Sequence, residues 1–196
     1  MKVLAIIQAR LTNTRLPKKI LKKIGDKSLI QHCVSNVRKA LLVDDVIVAS
    51  PHYIPEYFDA HRFIGSENDV VDRYYKCCKE YNGDVVVRLT SDCPFIDPDI
   101  IDEALEFFFR TDHGFARFAP IDGLDVEVFS FKLLEETWKK AKLPEDREHV
   151  TPYMIRKTKL SVDTKADLNK ARRWYGLHQS GDFGNGRDRV VRVELH

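Results

Sequence analysis

The stretch KVLAIIQARLTNTRLPKK, residues 2–19, decides the architecture. Its first seven residues are a near-continuous apolar run, the pattern of a strand buried on both faces, where no polar side alternates with the apolar one. The remainder turns abruptly polar and basic, with Arg10, Arg15 and Lys19 following the strand directly and Pro17 among them. DVIVAS at 45–50 and DVVVRL at 84–89 repeat the buried-strand pattern. Helix-period segments at 28–41, 67–81 and 98–110 lie between and after them, the last opening on Pro98, which suits a first helical turn. Continuous apolar strands alternating with helices of this length predict an α/β fold with a mainly parallel sheet covered on both faces.

The second half is less regular. DVEVFSF at 125–131 alternates with period two and predicts a half-exposed strand, antiparallel or near an edge. Helices are expected at 131–142, 148–157 and 165–175, with a short strand at 160–163. The tail 176–196 holds four of the nine glycines and ends in a possible last strand, RVVRVEL. No repeat, low-complexity tract or linker divides the chain, so residues 1–196 are expected to form one domain, the tail being its least defined part.

Composition narrows the partners. A hydrophobic share of 43% supports a real core and a charged share of 32% a solvated surface, so disorder is excluded. The net charge of +2 gives no global field that would draw the chain to nucleic acid or an anionic membrane. Attraction for anions must therefore be local, and Arg10, Arg15, Lys18, Lys19, Lys22 and Lys23 supply it. Cys33, Cys77, Cys78 and Cys93 show neither zinc spacing nor a disulfide framework. No signal-peptide pattern or membrane-length apolar run is present, and a cytoplasmic location is expected.

Ligands of open α/β sheets bind beyond the carboxyl ends of the strands. At the first such end, Arg10, Arg15 and Lys19 suit a polyphosphate: arginine offers a planar fork of donors and lysine a mobile point charge. The same residues would equally form a solvated basic turn. After the third strand, Asp92 sits where a carboxylate would meet a bound cation, and Mg²⁺ favours one or two carboxylates plus phosphate oxygens. Asp97 and Asp99 fit the cap of the next helix. Asp163, between the strand at 160–163 and the helix after it, suits an N-cap or a second metal ligand. Asp125 and Glu127 share a strand face, which suits a polar ligand or the wet side of a sheet, and His149 stands beside Glu148.

IIQARLTNTRLPKKIL at 6–21 resembles the nucleotide-binding motif of the CMP-sugar synthetase-like cytidylyltransferases, in particular the branch of the spore coat polysaccharide biosynthesis protein F. FIGSENDVVDRYY at 63–75, VVRLTSDCPFIDPDIID at 86–102, DGLDVEVFSFKLLEETW at 122–138, REHVTPYMI at 147–155 and LSVDTKADL at 160–168 extend the likeness in the same order. The resemblance implies a three-layer sandwich like that of the nucleotide-diphospho-sugar transferases, with an antiparallel strand in its sheet. It implies transfer of CMP from CTP to a sugar acid with release of pyrophosphate, using Mg²⁺, in a homodimer. Arg10, Arg15 and Lys19, with Gln8 and Ala9, would hold the triphosphate. Ser66, Asp69 and Arg73 would lie near the base, Asp92 and Asp163 would bind the metal, and Asp125, Glu127 and His149 would meet the acceptor. Another nucleotide or acceptor, or a binding homologue without catalysis, are the alternative readings. The chain departs from the family pattern at Thr12, Asn13, Lys18 and Ser91, where small residues or glycine are usual.

Overall fold

The computed structural model describes residues 1–55, 58–111, 114–119 and 122–158. The expected strand at 160–163, the helix at 165–175, Asp163 and the tail lie outside these residues.

The expected buried strands are present as β1 (Val3–Gln8), β4 (Asp45–Ser50) and β6 (Val85–Thr90), joined by β5 (His61–Ile64) and the antiparallel pair β8 (Val126–Ser130) and β7 (Phe115–Phe118). They form one six-stranded sheet in the order β5-β4-β1-β6-β8-β7. β1 pairs in parallel with β4 and β6, and β4 with β5; β8 runs antiparallel to both β6 and β7. A separate two-stranded ribbon, β2 (Lys23–Ile24) with β3 (Lys27–Ser28), follows the basic loop.

The sheet is covered on both sides. Val3, Ala5 and Ile7 of β1 face one core with Cys33, Val34 and Val37 of helix α1 (Leu29–Val37) and Ile101, Ala104 and Leu105 of α3 (Pro98–Arg110). Leu4 and Ile6 face the other, with Val71, Tyr74, Cys77 and Cys78 of α2 (Val70–Glu80) and Leu133 and Leu134 of α4 (Phe131–Lys140). This double burial is why β1 carries no polar side. The expected three-layer arrangement is met.

Helix starts follow cap chemistry. Ser28 and Gln31 exchange reciprocal bonds at the head of α1, and Asp97 caps α3 ahead of Pro98, as its position in the sequence implied. Three expectations need correction. First, α1 stops at Val37 rather than 41, because the amides of Leu41 and Leu42 donate to the Asp102 carboxylate of α3 at 2.8 and 2.9 Å. Second, β8 is neither half-exposed nor at an edge: β7 pairs outside it, and Val126, Val128 and Phe129 are wholly buried. Third, the helix expected at 148–157 is two short helices, α5 (Pro144–His149) and α6 (Pro152–Thr158). Pro152 disfavours a helical residue before it, and the chain breaks at Val150, whose φ is 70°.

Candidate active site

Register places Gln8 of β1 beside Thr90 of β6 and Ala49 of β4, so three parallel strands end together. Two cavities open at these ends. The first, of about 420 Å³, is lined by Gln8, Arg10, Glu67, Arg73 and His149 among others. The second, of about 660 Å³, is lined by Arg15, Arg88, Arg117, Asp122, Asp125 and Glu127. Lys19, Thr90 and Asp92 line both and form the wall between them. The wall is held by Lys19 Nζ, 2.8 Å from Asp92 Oδ2. Burial works against the Asp92 charge, yet hydrogen bonds from Lys19 and Thr90 and the lysine charge outweigh it and hold the carboxyl below its ordinary range.

The basic loop therefore divides its charges. Arg10 faces the first cavity, Arg15 the second, and Lys19 both. Arg10 and Arg15 do not gather round one pocket. Ala9 also departs from expectation: its side chain is buried and its amide donates to Ala49 O at 3.0 Å, so it lines neither cavity.

The turn 65–69 feeds α2 into the first cavity. Ser66 Oγ accepts from the Asp69 amide at 3.0 Å, and Asp69 Oδ1 accepts from the Asp72 amide at 2.9 Å, so both serve the helix start and line neither cavity. Arg73 does line it. Its side chain is almost wholly buried, Nη1 donates to Ser66 O at 2.7 Å, and burial lowers its pKa. Gly65 makes the room: a Cβ there would lie 2.8 Å from Arg73 Cγ.

In the second cavity, Glu127 is 6% exposed and both its oxygens are engaged. Arg88 Nη1 lies 2.5 Å from Oε2, and Thr151 Oγ1 donates to Oε1 at 3.0 Å. Burial disfavours the Arg88 charge and Glu127 more than restores it, so its pKa is raised. Arg117 Nη2 donates to Asp125 Oδ1 at 3.3 Å. Thr151→Val leaves a buried carboxylate oxygen short of a donor. It should cost about 1–3 kcal/mol of stability, read as a lower denaturation midpoint.

Arg88, Arg117 and Thr151 were not foreseen from the sequence, and Arg147 was noted beside Glu148 and His149 with no role assigned. Arg88 carried a signal, since a lone charge inside the apolar run VVVRL is an uncommon buried residue that demands a partner. Arg117 lies on the unforeseen strand β7, and the partners of Arg147 and Thr151 are 78 and 24 residues away.

A profile of the cytidylyltransferase family matches residues 4–178. The chain belongs to that family. The expected enzyme class, a CTP-dependent nucleotidyltransferase, is met at the level of the family. An uncharacterized protein of Methanocaldococcus jannaschii is 39% identical over 163 residues, covering 79% of this chain and 67% of the relative. The spore coat polysaccharide biosynthesis protein SpsF of Bacillus subtilis is 33% identical, covering 78% and 69%. A solved cytidylyltransferase from Leptospira borgpetersenii superposes with a TM-score of 0.69 at 33% identity, covering 78% of this chain and 70% of that one. Among the described residues no helix is long and apolar enough to cross a membrane.

The departures from the cytidylyltransferase pattern have a structural reading. Lys18, where the family usually has glycine, sits at φ 52°, ψ 36°, the left-handed region that glycine adopts without cost. Lys18→Gly should therefore stabilise the fold by about 1 kcal/mol, visible as a raised midpoint at unchanged slope in urea. Ser91 is small enough to be buried while its amide donates to Gln8 O at 3.0 Å. Thr12 turns its hydroxyl to Glu67 Oε1 at 3.3 Å.

Proposed function

We propose that this cytidylyltransferase transfers CMP from CTP to a sugar acid, with CTP in the first cavity and the acceptor in the second. The observation that carries the reading is the wall of Lys19, Thr90 and Asp92 common to both cavities. An acceptor oxygen attacks the α-phosphorus, losing its proton to solvent where it is a hydroxyl, the bond to the bridging oxygen of the β-phosphate breaks, and pyrophosphate leaves. Negative charge then builds on the non-bridging and leaving oxygens, and fixed cations aimed at them are the main source of acceleration. Arg10 and Lys19 hold the phosphate chain, Arg15 approaches from the acceptor side, and Gln8 and Arg73 meet the nucleoside. Asp125 and Glu127 contact the acceptor, whereas His149, expected there from the resemblance, lines the first cavity and lies on the nucleotide side. Arg88 and Thr151 hold both oxygens of Glu127, which fixes the carboxylate as an acceptor of bonds from sugar hydroxyls.

The donor set fits Mg²⁺ of the kind that arrives with a triphosphate. Among the described residues no three His, Cys, Asp or Glu side chains gather into a cage. Among the described residues Asp92 is the carboxylate common to both cavities, and Mg²⁺ accepts one or two carboxylates when phosphates complete its shell. Asp92 would hold it, with Asp163 as second carboxylate, and it would supply Lewis-acid polarisation of the phosphate. The likeness to a spore coat polysaccharide biosynthesis protein supports a part in making surface glycans.

Thermal-shift titration with the four nucleoside triphosphates and Mg²⁺, followed by a pyrophosphate-release assay over a panel of sugar acids, tests the reading. Selective stabilisation by CTP and acceptor-dependent release are expected, since a ligand that binds only the native state raises its apparent stability. Equal response to all four nucleotides, or CTP binding with no release for any acceptor, contradicts it.

A further inference from the structure

Residues 147–151 touch both cavities within one short segment. His149 lines the first, and Thr151 fixes Glu127 in the second. Between them Val150 holds φ 70° and ψ −55°, and the Thr151 amide donates to His149 O at 2.8 Å, closing a tight three-residue turn. A β-branched residue in this region is strained and persists only where its surroundings over-determine it. The Val150 side chain is wholly buried in the α2–α4 core, which pins the apex.

The upstream end is pinned by Arg147. Its Nε donates to Asp69 Oδ2 at 3.0 Å, its Nη2 bonds the same oxygen, and its Nη1 donates to Trp138 O at 2.8 Å. Asp69 is also the cap of α2, the helix that carries Arg73 into the first cavity. One carboxylate thus joins the start of α2 to α5. A helix of six residues has little stability of its own, so its placement depends on such anchors.

We infer that Arg147 is a positioning residue for nucleotide binding: through Asp69 it holds Glu148 and His149 on the wall of the first cavity in fixed relation to Arg73. Arg147 itself lines neither cavity. The inference rests on the reading of the first cavity as the CTP site.

The test combines calorimetry with Mg²⁺ and CTP and NMR of the histidine rings, the His149 signal being identified by its loss in His149→Ala. Arg147→Met and His149→Ala should each weaken CTP by about tenfold, and the double variant should be no worse than twofold beyond the weaker single, because groups acting through one another are not additive. The His149 signal should move in Arg147→Met and return part-way in Arg147→Lys. Should Arg147→Met fail to fold, Asp69→Asn keeps the helix cap and removes the charge pair, with the same two effects expected. Additive losses, or an unmoved His149 signal, overturn the inference. Absence of CTP binding by the wild type overturns the nucleotide reading instead, and the His149 signal still decides the positioning role.

Discussion

Asp92→Ala lowers pyrophosphate release from CTP by about 10³-fold, with the fold intact. The reasoning is positional. Asp92 is on the wall where the two cavities meet, so under the proposed placement an acceptor oxygen in one and an α-phosphate in the other would come together beside it. Asp92 would act through the Mg²⁺ it holds, whose charge stabilises the phosphate mainly in the transition state, and loss of one such stabilising group commonly costs 10²–10³ in kcat. The stability cost is small by comparison. The Lys19–Asp92 pair has side-chain exposures of 36% and 43%, and pairs this open contribute about 0–1 kcal/mol. Single-turnover release with CTP and a productive acceptor, beside a urea melt, separates the two. A rate within tenfold of wild type, with the melt unchanged, would remove Asp92 from the chemistry.

Arg88→Met destabilises the protein by about 3–5 kcal/mol, the largest stability effect expected of a single change at the site. Arg88 lies in the middle of the sheet on β6 and faces Glu127 across the antiparallel ladder to β8. The side chains are 16% and 8% exposed, so removing the cation leaves a carboxylate that water cannot reach well enough to stabilise. Thr151 still donates to Oε1, and Arg117 Nε at 3.9 Å is too far to replace the lost bond. Adding Glu127→Gln to Arg88→Met should recover part of the loss, because a neutral amide needs no counter-charge. A chemical-denaturation series over the two single variants and the double measures this. A loss below about 1 kcal/mol for Arg88→Met would show that Glu127 is not held as a buried anion.

The central strands were legible because each is apolar on both sides, and a pattern with no polar face has few other homes in a chain of this composition. α3 was legible for a different reason: Asp97 and Pro98 mark its start, and Thr111 lies beyond its last residue, Arg110. β5 and β7 escaped because each is four residues long and its apolar run is cut short by charge or polarity, at His61 and Arg62 in one and at Arg117 in the other. Missing β7 in turn put β8 at an edge and gave Glu127 a wet face that it does not have. The break at Val150 hides because EHVTPY carries no glycine to announce a positive φ.

At the site, the nearness of Lys19 and Asp92 followed from strand order, since β1 and β6 are neighbours and both residues leave their carboxyl ends. The separation of Arg10 from Arg15 did not follow. Five residues of loop fix which side of a wall a side chain takes, and loop path is set by tertiary contacts such as Thr12 with Glu67. Asp69 was read through the resemblance as a residue near the base, whereas its bonds to the Asp72 amide and Arg147 make it a joint between α2 and α5.

The proposed reaction depends on one partition, nucleotide on the Arg10 side and acceptor on the Arg15 side, with chemistry at the shared wall. A crystal structure with CTP and Mg²⁺ measures it directly. The predicted result is a nucleoside beside Gln8 and Arg73 with its α-phosphate against Lys19 and Asp92. A nucleotide seated in the Arg15, Arg88 and Arg117 cavity, or phosphates directed away from Asp92, would contradict it.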